Sequence, residues 1–255
     1  MIYLYEVKKM ETKGYVDIHS HILWGLDDGA KTREEMIAML TAAFEDGARA
    51  LCLTPHYEPE SFDYDTETLR ARFAEAQSYA AEHLEGLSLF LGNEISYRHD
   101  SVEGLRRGKC LGLSSGRYVL VDFFDLSEYA QMKKGLESFL CAGYLPVVAH
   151  VERYSFMRGR LREVAELSRE GVLFQINSQS LMQPDRISAS RKMAEKLLSR
   201  GLADLVASDA HDTLVRNPRL SECRAYVAGR FGEEYAEMLF NTNPQTVLDN
   251  KNIQI

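Results

Sequence analysis

The sequence predicts an α/β fold in which parallel strands are covered by helices, as a barrel or a doubly wound sheet. Roughly seven units of short strand, polar residue, helix and glycine follow one another along the chain. The strand candidates are continuous apolar runs, which indicates burial on both faces. Histidines and carboxylates recur at the ends of these runs, where such folds carry their working groups.

The first unit contains two histidines within the apolar run 15–23. Side chains at i and i+2 of a strand share a face, so His19 and His21 point the same way, with Asp17 beside them. Such a pair can hold a metal ion, although two hydrogen-bonded histidines in a polar core would show the same pattern. The later units make the metal interpretation the stronger one.

The remaining elements follow in order. Thr32 and Glu35 form a capping-box pattern, which predicts a helix from about Arg33 to the stop at Gly47. Further helices are predicted near 66–85, 102–107, 129–142, 161–170 and 190–200, with a last one starting near 243–244. The later strands and the polar residues at their ends are 49–54 with His56, 87–91 with Glu94, 118–124 with Asp122, 145–150 with His150, 172–177, and 203–208 with Asp209 and His211.

The composition is that of one globular domain. The chain has 255 residues, is 45% hydrophobic and shows no break in composition, so we expect a single domain over 14–255. Residues 1–13 are interpreted as an N-terminal appendage whose order the sequence does not determine. No apolar run approaches the ~20 residues of a membrane span, and the N-terminus lacks signal-peptide features. We therefore expect a cytoplasmic protein without a membrane span.

Charge and cysteine usage narrow the chemistry. A net charge of -8 argues against a broad nucleic-acid surface, but it permits a small phosphate substrate held by metals and arginines. The cysteines are scattered and lack the Arg-containing phosphate loop of thiol-dependent phosphatases, so we expect structural, reduced thiols at Cys52, Cys110, Cys141 and Cys223. Any metal should therefore be held by nitrogen and oxygen.

Five of the seven histidines lie at strand ends: His19, His21, His56, His150 and His211. The carboxylates of Glu94, Asp122 and Asp209 occupy equivalent positions. Nitrogen and oxygen ligands without thiolate suit Zn, Mn or Fe(II), and so large a set suits more than one ion.

The motifs around these residues resemble those of the polymerase and histidinol phosphatase (PHP) superfamily. More narrowly, they resemble its bacterial protein-tyrosine-phosphatase branch, which is associated with capsular and exopolysaccharide synthesis. The resemblance runs from about Val16 to the C-terminus. It is carried by Asp17-Ile18-His19-Ser20-His21, Asp27-Asp28-Gly29, Thr54-Pro55-His56, Gly92-Asn93-Glu94, Ala149-His150-Val151-Glu152-Arg153-Tyr154 and Ser208-Asp209-Ala210-His211.

The resemblance implies a distorted (β/α)7 barrel with two to three divalent ions, with manganese expected and iron or zinc as alternatives. By the same resemblance the ligand groups are His19, His21, Glu94 and Asp209; Glu94, His150 and Asp122; and Asp28, His56 and His211. Arg153 and Arg216 match positions of phosphate-binding arginines. The chain departs from the family at Asp122, where the pattern has Glu, so the second group has a shorter side chain.

The activity that the resemblance implies is hydrolysis of phosphotyrosine by a metal-activated hydroxide. The substrate would be the tail of a bacterial tyrosine kinase that controls polysaccharide synthesis. A small-molecule phosphatase, such as one acting on histidinol phosphate, is the alternative. A module of a replication polymerase is disfavoured because the chain is short and acidic, and an amidohydrolase because no Lys ends a strand. The oligomeric state stays open.

Several neighbouring residues have more than one interpretation. We expect Asp27 to cap a loop and Asp17 to support a histidine. Glu152 is either a surface charge or a residue that orients Arg153. The aromatic residues near the predicted mouth either pack or stack on an aromatic leaving group: Tyr57, Phe123, Phe124 and Tyr154.

Overall fold

The fold is a barrel of parallel strands surrounded by helices, as predicted. The computed structural model describes residues 14–182 and 188–253, so the predicted appendage at 1–13 lies outside the described residues. The strands are β1 Tyr15–Asp17, β2 Ala48–Leu53, β3 His56–Tyr57, β4 Ser88–Leu91, β5 Glu94–Ser96, β6 Tyr118–Asp122, β7 Leu145–Val148, β8 Leu173–Asn177 and β9 Leu205–Ala207. The described pairings are all parallel, in the orders β1-β2-β4 and β3-β5-β6-β7-β8-β9.

Two of the barrel positions are each occupied by a broken strand. Thr54 and Pro55 separate β2 from β3, and Gly92 and Asn93 separate β4 from β5. The ladder continues across both breaks, because Gly92 N–H donates to Leu53 O and Glu94 N–H donates to Pro55 O. Proline has no N–H to donate, which explains the first interruption. Counting each broken strand once, the nine segments occupy the predicted seven positions.

The barrel closes between β9 and the chain beyond β1. Asp209 N–H donates to His19 O at 2.9 Å, and His21 N–H donates to Ala210 O at 2.8 Å. Regular strand geometry ends at Asp17, so a strand through Leu23 was too long a prediction. The reason is that pairing becomes irregular beyond Asp17. Thr54 N–H still donates to Ser20 O at 2.8 Å on the β2 side, and Ser20 forms an isolated bridge with Ala210 on the other side.

The helices lie outside the barrel. They are α1 Arg33–Asp46, α2 Thr66–His83, α3 Ser101–Arg106, α4 Tyr129–Cys141, α5 Leu161–Arg169, α6 Ser178–Met182, α7 Ala189–Ser199, α8 Ser221–Phe231, α9 Glu233–Glu237 and α10 Asn243–Leu248. Thr32 caps α1 as predicted by accepting from Glu35 N–H. Within the described ranges, no helix combines the length and apolar character that a membrane crossing requires.

Two apolar cores hold the fold together. One fills the barrel interior with small and branched side chains such as Ile18, Ala50, Leu120 and Val147. The other lies between the strands and the helices. Because the barrel interior is packed, the polar groups collect at the carboxyl ends of the strands, where the site forms.

Candidate metal centre

All of the predicted metal ligands meet at the carboxyl ends of the strands. Their nitrogen and oxygen atoms form groups in which every ligand atom lies within 4.8 Å of the others. The groups are His19, His21, Glu94 and Asp209; Glu94, Asp122 and His150; and His21, Asp28, His56 and His211. Their composition agrees with the sequence-based assignment, except that the third group also includes His21.

The first group is fully buried. The Nε2 atoms of His19 and His21 lie 3.2 Å apart. Glu94 Oε2 lies 3.3 and 3.2 Å from them, and Asp209 Oδ1 lies 3.5 and 3.4 Å from them. Neither carboxylate oxygen has a hydrogen-bond partner.

The outer ring nitrogens of these histidines determine where their protons lie. His19 Nδ1 lies 3.1 Å from Gln175 Oε1, and His21 Nδ1 lies 2.7 Å from Asp27 Oδ2. Both Nδ1 atoms therefore donate, which leaves the lone pair of each Nε2 directed at the group. Two imidazole lone pairs and two carboxylate oxygens then face one another with no hydrogen-bond donor between them. Such an arrangement requires positive charge at its centre, so the donor set fits a divalent cation.

The second group shares Glu94 with the first. Glu94 Oε1 lies 2.8 Å from His150 Nε2. Asp122 Oδ1 accepts from Tyr154 O–H at 2.9 Å and from Phe124 N–H at 2.8 Å. Asp122 thus reaches the group despite being one methylene shorter than Glu, and its orientation is held by two donors.

The third group opens toward solvent. Asp28 Oδ1 lies 3.1 Å from His211 Nε2 and 3.4 Å from His56 Nε2. His211 Nδ1 donates to Asp209 O at 3.0 Å, so its Nε2 lone pair also faces inward. Asp28 is the most exposed predicted ligand, with 52% of its side chain accessible.

The loop that carries Asp28 lies directly on the first group. Ala30 N–H donates to His21 O at 3.1 Å. A Cβ at Gly29 would lie 2.0 Å from His21 O, so only glycine permits this approach. The loop can therefore place both Asp27 and Asp28 against the histidines.

The pKa shifts of Glu94 and His150 also indicate that the site favours positive charge. Burial would raise the pKa of Glu94, yet His19 and His56 hold it well below its usual range. Burial would lower the pKa of His150, yet Asp122 and Glu94 raise it to about 9. A proton or a cation must sit among these atoms. Metal binding therefore competes with protonation and weakens as pH falls.

Both predicted arginines face the same carboxylate at the edge of the cavity. Arg216 Nη2 lies 2.8 Å and Arg153 Nη1 lies 3.3 Å from Asp209 Oδ2. Their side chains are 30% and 38% exposed, so each guanidinium keeps donors free for a ligand. The cavity that they line has a volume of about 210 Å³ and also reaches Asp28, His56, Glu94, Asp122 and His150.

Three supporting residues were not assigned this role from the sequence. Gln175 accepts from His19 and from His150 N–H, and Asn177 Nδ2 donates to Asp209 Oδ2 at 2.6 Å. Asp27 accepts from His21 rather than only capping its loop. An amide pair at i and i+2 within the apolar run of β8 was the available signal for the first two.

Two other carboxylates differ from the expectations. Asp17 Oδ1 accepts from the backbone N–H groups of His19 and Ser208, so it supports the backbone and not an imidazole ring. Glu152 is fully buried and accepts from Asn177 N–H and Ser180 O–H. It is therefore neither a surface charge nor a hydrogen-bond partner of Arg153.

The backbone is strained at two predicted ligands. His150 has φ 31° and Asp209 has φ 51°, in the left-handed region that residues other than glycine seldom occupy. Such conformations cost on the order of 1–3 kcal/mol each and persist where the surroundings impose them. At both positions the strain turns a side chain at a strand end toward the cluster.

Comparisons with known proteins identify the family of the chain. The family described as "Capsular polysaccharide synthesis, CpsB/CapC" matches residues 15–249. Tyrosine-protein phosphatase CpsB of Streptococcus pneumoniae is 33% identical over 237 residues, covering 91% of this chain and 98% of the relative.

Solved structures show the same fold. One match has a TM-score of 0.84 and 27% identity. It belongs to crystal structures described as those of YwqE from Bacillus subtilis and CpsB from Streptococcus pneumoniae, "unique metal-dependent tyrosine phosphatases". The match covers 94% of this chain and 96% of that one. A histidinol phosphate phosphatase from Lactococcus lactis matches with TM-score 0.52 and 15% identity, covering 90% and 98%, which shows a shared fold alone.

Proposed function

The chain belongs to the CpsB/CapC family and is a metal-dependent tyrosine phosphatase, and we propose that the three ligand groups at the barrel mouth hold its divalent ions. The PHP assignment and the enzyme class predicted from the sequence are thereby confirmed. The observation that carries the proposal is the set of imidazole lone pairs and carboxylate oxygens that face one another without a donor.

The residues proposed as ligands are those of the three groups: His19, His21, Glu94 and Asp209; Asp122 and His150 with Glu94; and Asp28, His56 and His211. When bound, divalent ions lower the pKa of a water molecule toward ~7 and neutralise phosphoryl oxygens. Nitrogen and carboxylate ligands suit manganese, which we expect, as well as iron and zinc. Gln175 and Asp27 keep the proton on the outer nitrogens of His19 and His21, so the inner nitrogens remain ligands.

Arg153 and Arg216 are the proposed phosphate-binding residues. Both reach Asp209 Oδ2 from the cavity side, so a phosphoryl group entering there meets two guanidinium groups beside the ligand cluster. Planar guanidinium groups can each contact two phosphoryl oxygens, which a lysine cannot do. Preorganised donors of this kind stabilise charge that develops in the transition state.

The leaving group of phosphotyrosine is a phenolate, whose conjugate acid has a pKa of ~10.

The proposed physiological substrate is a phosphotyrosine segment of a bacterial tyrosine kinase that acts in polysaccharide synthesis, and we place the reaction in the cytoplasm. The family's description as capsular polysaccharide synthesis proteins supports the proposed kinase substrate. The free state of all four cysteines supports the proposed cytoplasmic location.

The test compares kcat/KM for a phosphotyrosine peptide and for histidinol phosphate with the metal-loaded protein. We expect a large preference for the peptide. Preference for histidinol phosphate would contradict the proposed substrate class but not the proposed metal site. Activity that survives complete removal of metal would contradict the site itself.

A further inference from the structure

Phe124 is an exposed aromatic side chain on the wall of the catalytic cavity. It is 60% accessible, while its neighbour Phe123 is 1% accessible and packs against Tyr97 at a centroid distance of 5.1 Å. Other large apolar side chains exposed in the described ranges are Leu214 and Val215, and neither lines this cavity. A solitary exposed apolar residue needs no explanation by itself, but this one borders the predicted site of reaction.

The backbone of Phe124 is tied to the ligand cluster. Its N–H donates to Asp122 Oδ1 at 2.8 Å, and the same oxygen accepts from the Tyr154 hydroxyl at 2.9 Å. Tyr154 also accepts from Phe123 N–H at 2.9 Å. The chain on both sides of the Phe124 amide is therefore held in place. Only the side-chain torsions of Phe124 are then left to be ordered when a ligand contacts the ring.

Phe124 also lies beside a proposed phosphate-binding arginine. The Arg153 Cζ atom lies 5.7 Å from the Phe124 ring centroid, and Arg153 Nη1 lies 3.3 Å from Asp209 Oδ2. A ring, a guanidinium group and a proposed ligand carboxylate thus follow one another from the mouth of the cavity inward. The leaving group begins at the ester oxygen, one bond from phosphorus. With the phosphoryl group at Arg153, that leaving group extends toward the wall that Phe124 forms.

We propose that Phe124 is a specificity-determining residue that stacks on the aromatic leaving group and favours aryl over alkyl phosphate monoesters. The inference rests on the proposed function, because it names how that site distinguishes its substrate class. Of the other aromatic residues that the sequence places near the mouth, Phe123 is buried by packing and Tyr154 is buried with its hydroxyl on Asp122. Tyr57 does not line this cavity. Offset aromatic pairs contribute enough attraction beyond their buried area to alter affinity by about two- to tenfold.

The test measures binding to the metal-loaded protein by calorimetry, so it does not depend on turnover. Benzylphosphonate, ethylphosphonate and inorganic phosphate serve as probes, since the first carries an aromatic ring in place of the second's methyl group. In Phe124→Ala we expect benzylphosphonate affinity to fall about three- to tenfold, with the other two affinities unchanged. Phe124→Tyr keeps an aromatic face and should restore the wild-type ratio. The matched control is Val215→Ala, an exposed apolar residue outside the cavity, which should change none of the three.

Two results would overturn the inference. If all three affinities fall together in Phe124→Ala, the ring acts by holding Arg153 in place and not by stacking on the leaving group. If none changes, the ring has no part in recognition. Failure of the proposed function looks different, because the wild-type protein would then lack phosphotyrosine hydrolysis whatever its affinity for benzylphosphonate.

Discussion

Asp27→Asn tests whether a buried carboxylate behind His21 sets the metal affinity of the centre. Asp27 Oδ2 accepts from His21 Nδ1 at 2.7 Å and from His56 N–H at 2.9 Å, while Oδ1 accepts from Gly29 N–H at 2.9 Å. Burial alone would raise the pKa of Asp27, but its interaction with His21 holds that pKa below its usual range. The group is therefore an ionised acceptor of three hydrogen bonds.

An asparagine cannot reproduce these contacts. Its amide has one acceptor oxygen, so its NH₂ group must face either Gly29 N–H or the two donors on the other side. The less costly orientation leaves Gly29 N–H unpaired, at about 1–3 kcal/mol, and replaces a charge-assisted bond to His21 by a neutral one. In the other orientation His21 accepts at Nδ1 and carries its proton on Nε2, which can then no longer act as a ligand.

We expect Asp27→Asn to lower metal affinity by about 10- to 100-fold, the usual effect of removing a carboxylate that orients a histidine ligand. The measurement is competition between the protein and a chelator of known affinity, with metal content read by elemental analysis. Circular dichroism checks that the barrel still folds. Asp63→Asn, which makes the same substitution at an exposed position, is the control. An affinity for Asp27→Asn within about threefold of wild type would refute the reasoning.

Three further predictions concern other parts of the molecule. Arg153→Lys should keep the metals and lose about 10²- to 10³-fold in kcat for a phosphotyrosine peptide, and a loss below about threefold would remove Arg153 from the site. His19→Ala should abolish most activity and reduce bound metal with the fold intact, so wild-type kcat in metal-scrubbed buffer would contradict its assignment. Burial raises the pKa of Asp204 to about 7, so the folded state holds a proton that the unfolded state loses above about pH 4. Stability should therefore fall as pH rises from about 4 to 7, by at most ~1.4 kcal/mol per pH unit, and Asp204→Asn should lack this component. A difference between wild type and Asp204→Asn in urea-unfolding free energy that is independent of pH would contradict the shift.

The convergence of the candidate ligands could be predicted because most of their signals are local in the sequence. His19 and His21 are two residues apart in one apolar run, and most of the other candidates lie at the ends of later runs, whereas Asp28 lies in a loop and was assigned from the family resemblance alone. Parallel strands bring those ends together whatever the side-chain details. The family resemblance supplied the division of these residues into three groups. The distances between their ligand atoms agree with that division, except that His21 also joins the third group.

The supporting contacts could not be predicted, because they depend on three-dimensional approach. Asp17 is adjacent to the histidines in sequence, yet its oxygen accepts from backbone N–H groups, while the loop residue Asp27 reaches the His21 ring. The close contact at Gly29 makes this possible. In the same way, the sequence does not distinguish Phe123 from Phe124, whose exposures differ because the chain turns at Asp122 and sends one ring inward.

The most direct test of the account is removal and return of metal. Protein stripped by a chelator should contain no bound divalent ion and should not hydrolyse a phosphotyrosine peptide. Addition of manganese, or of iron or zinc, should restore both metal content and activity, while iodoacetamide should have little effect. Full activity in metal-free protein, or rapid inactivation by iodoacetamide with protection by phosphate, would contradict a metal centre built from histidines and carboxylates.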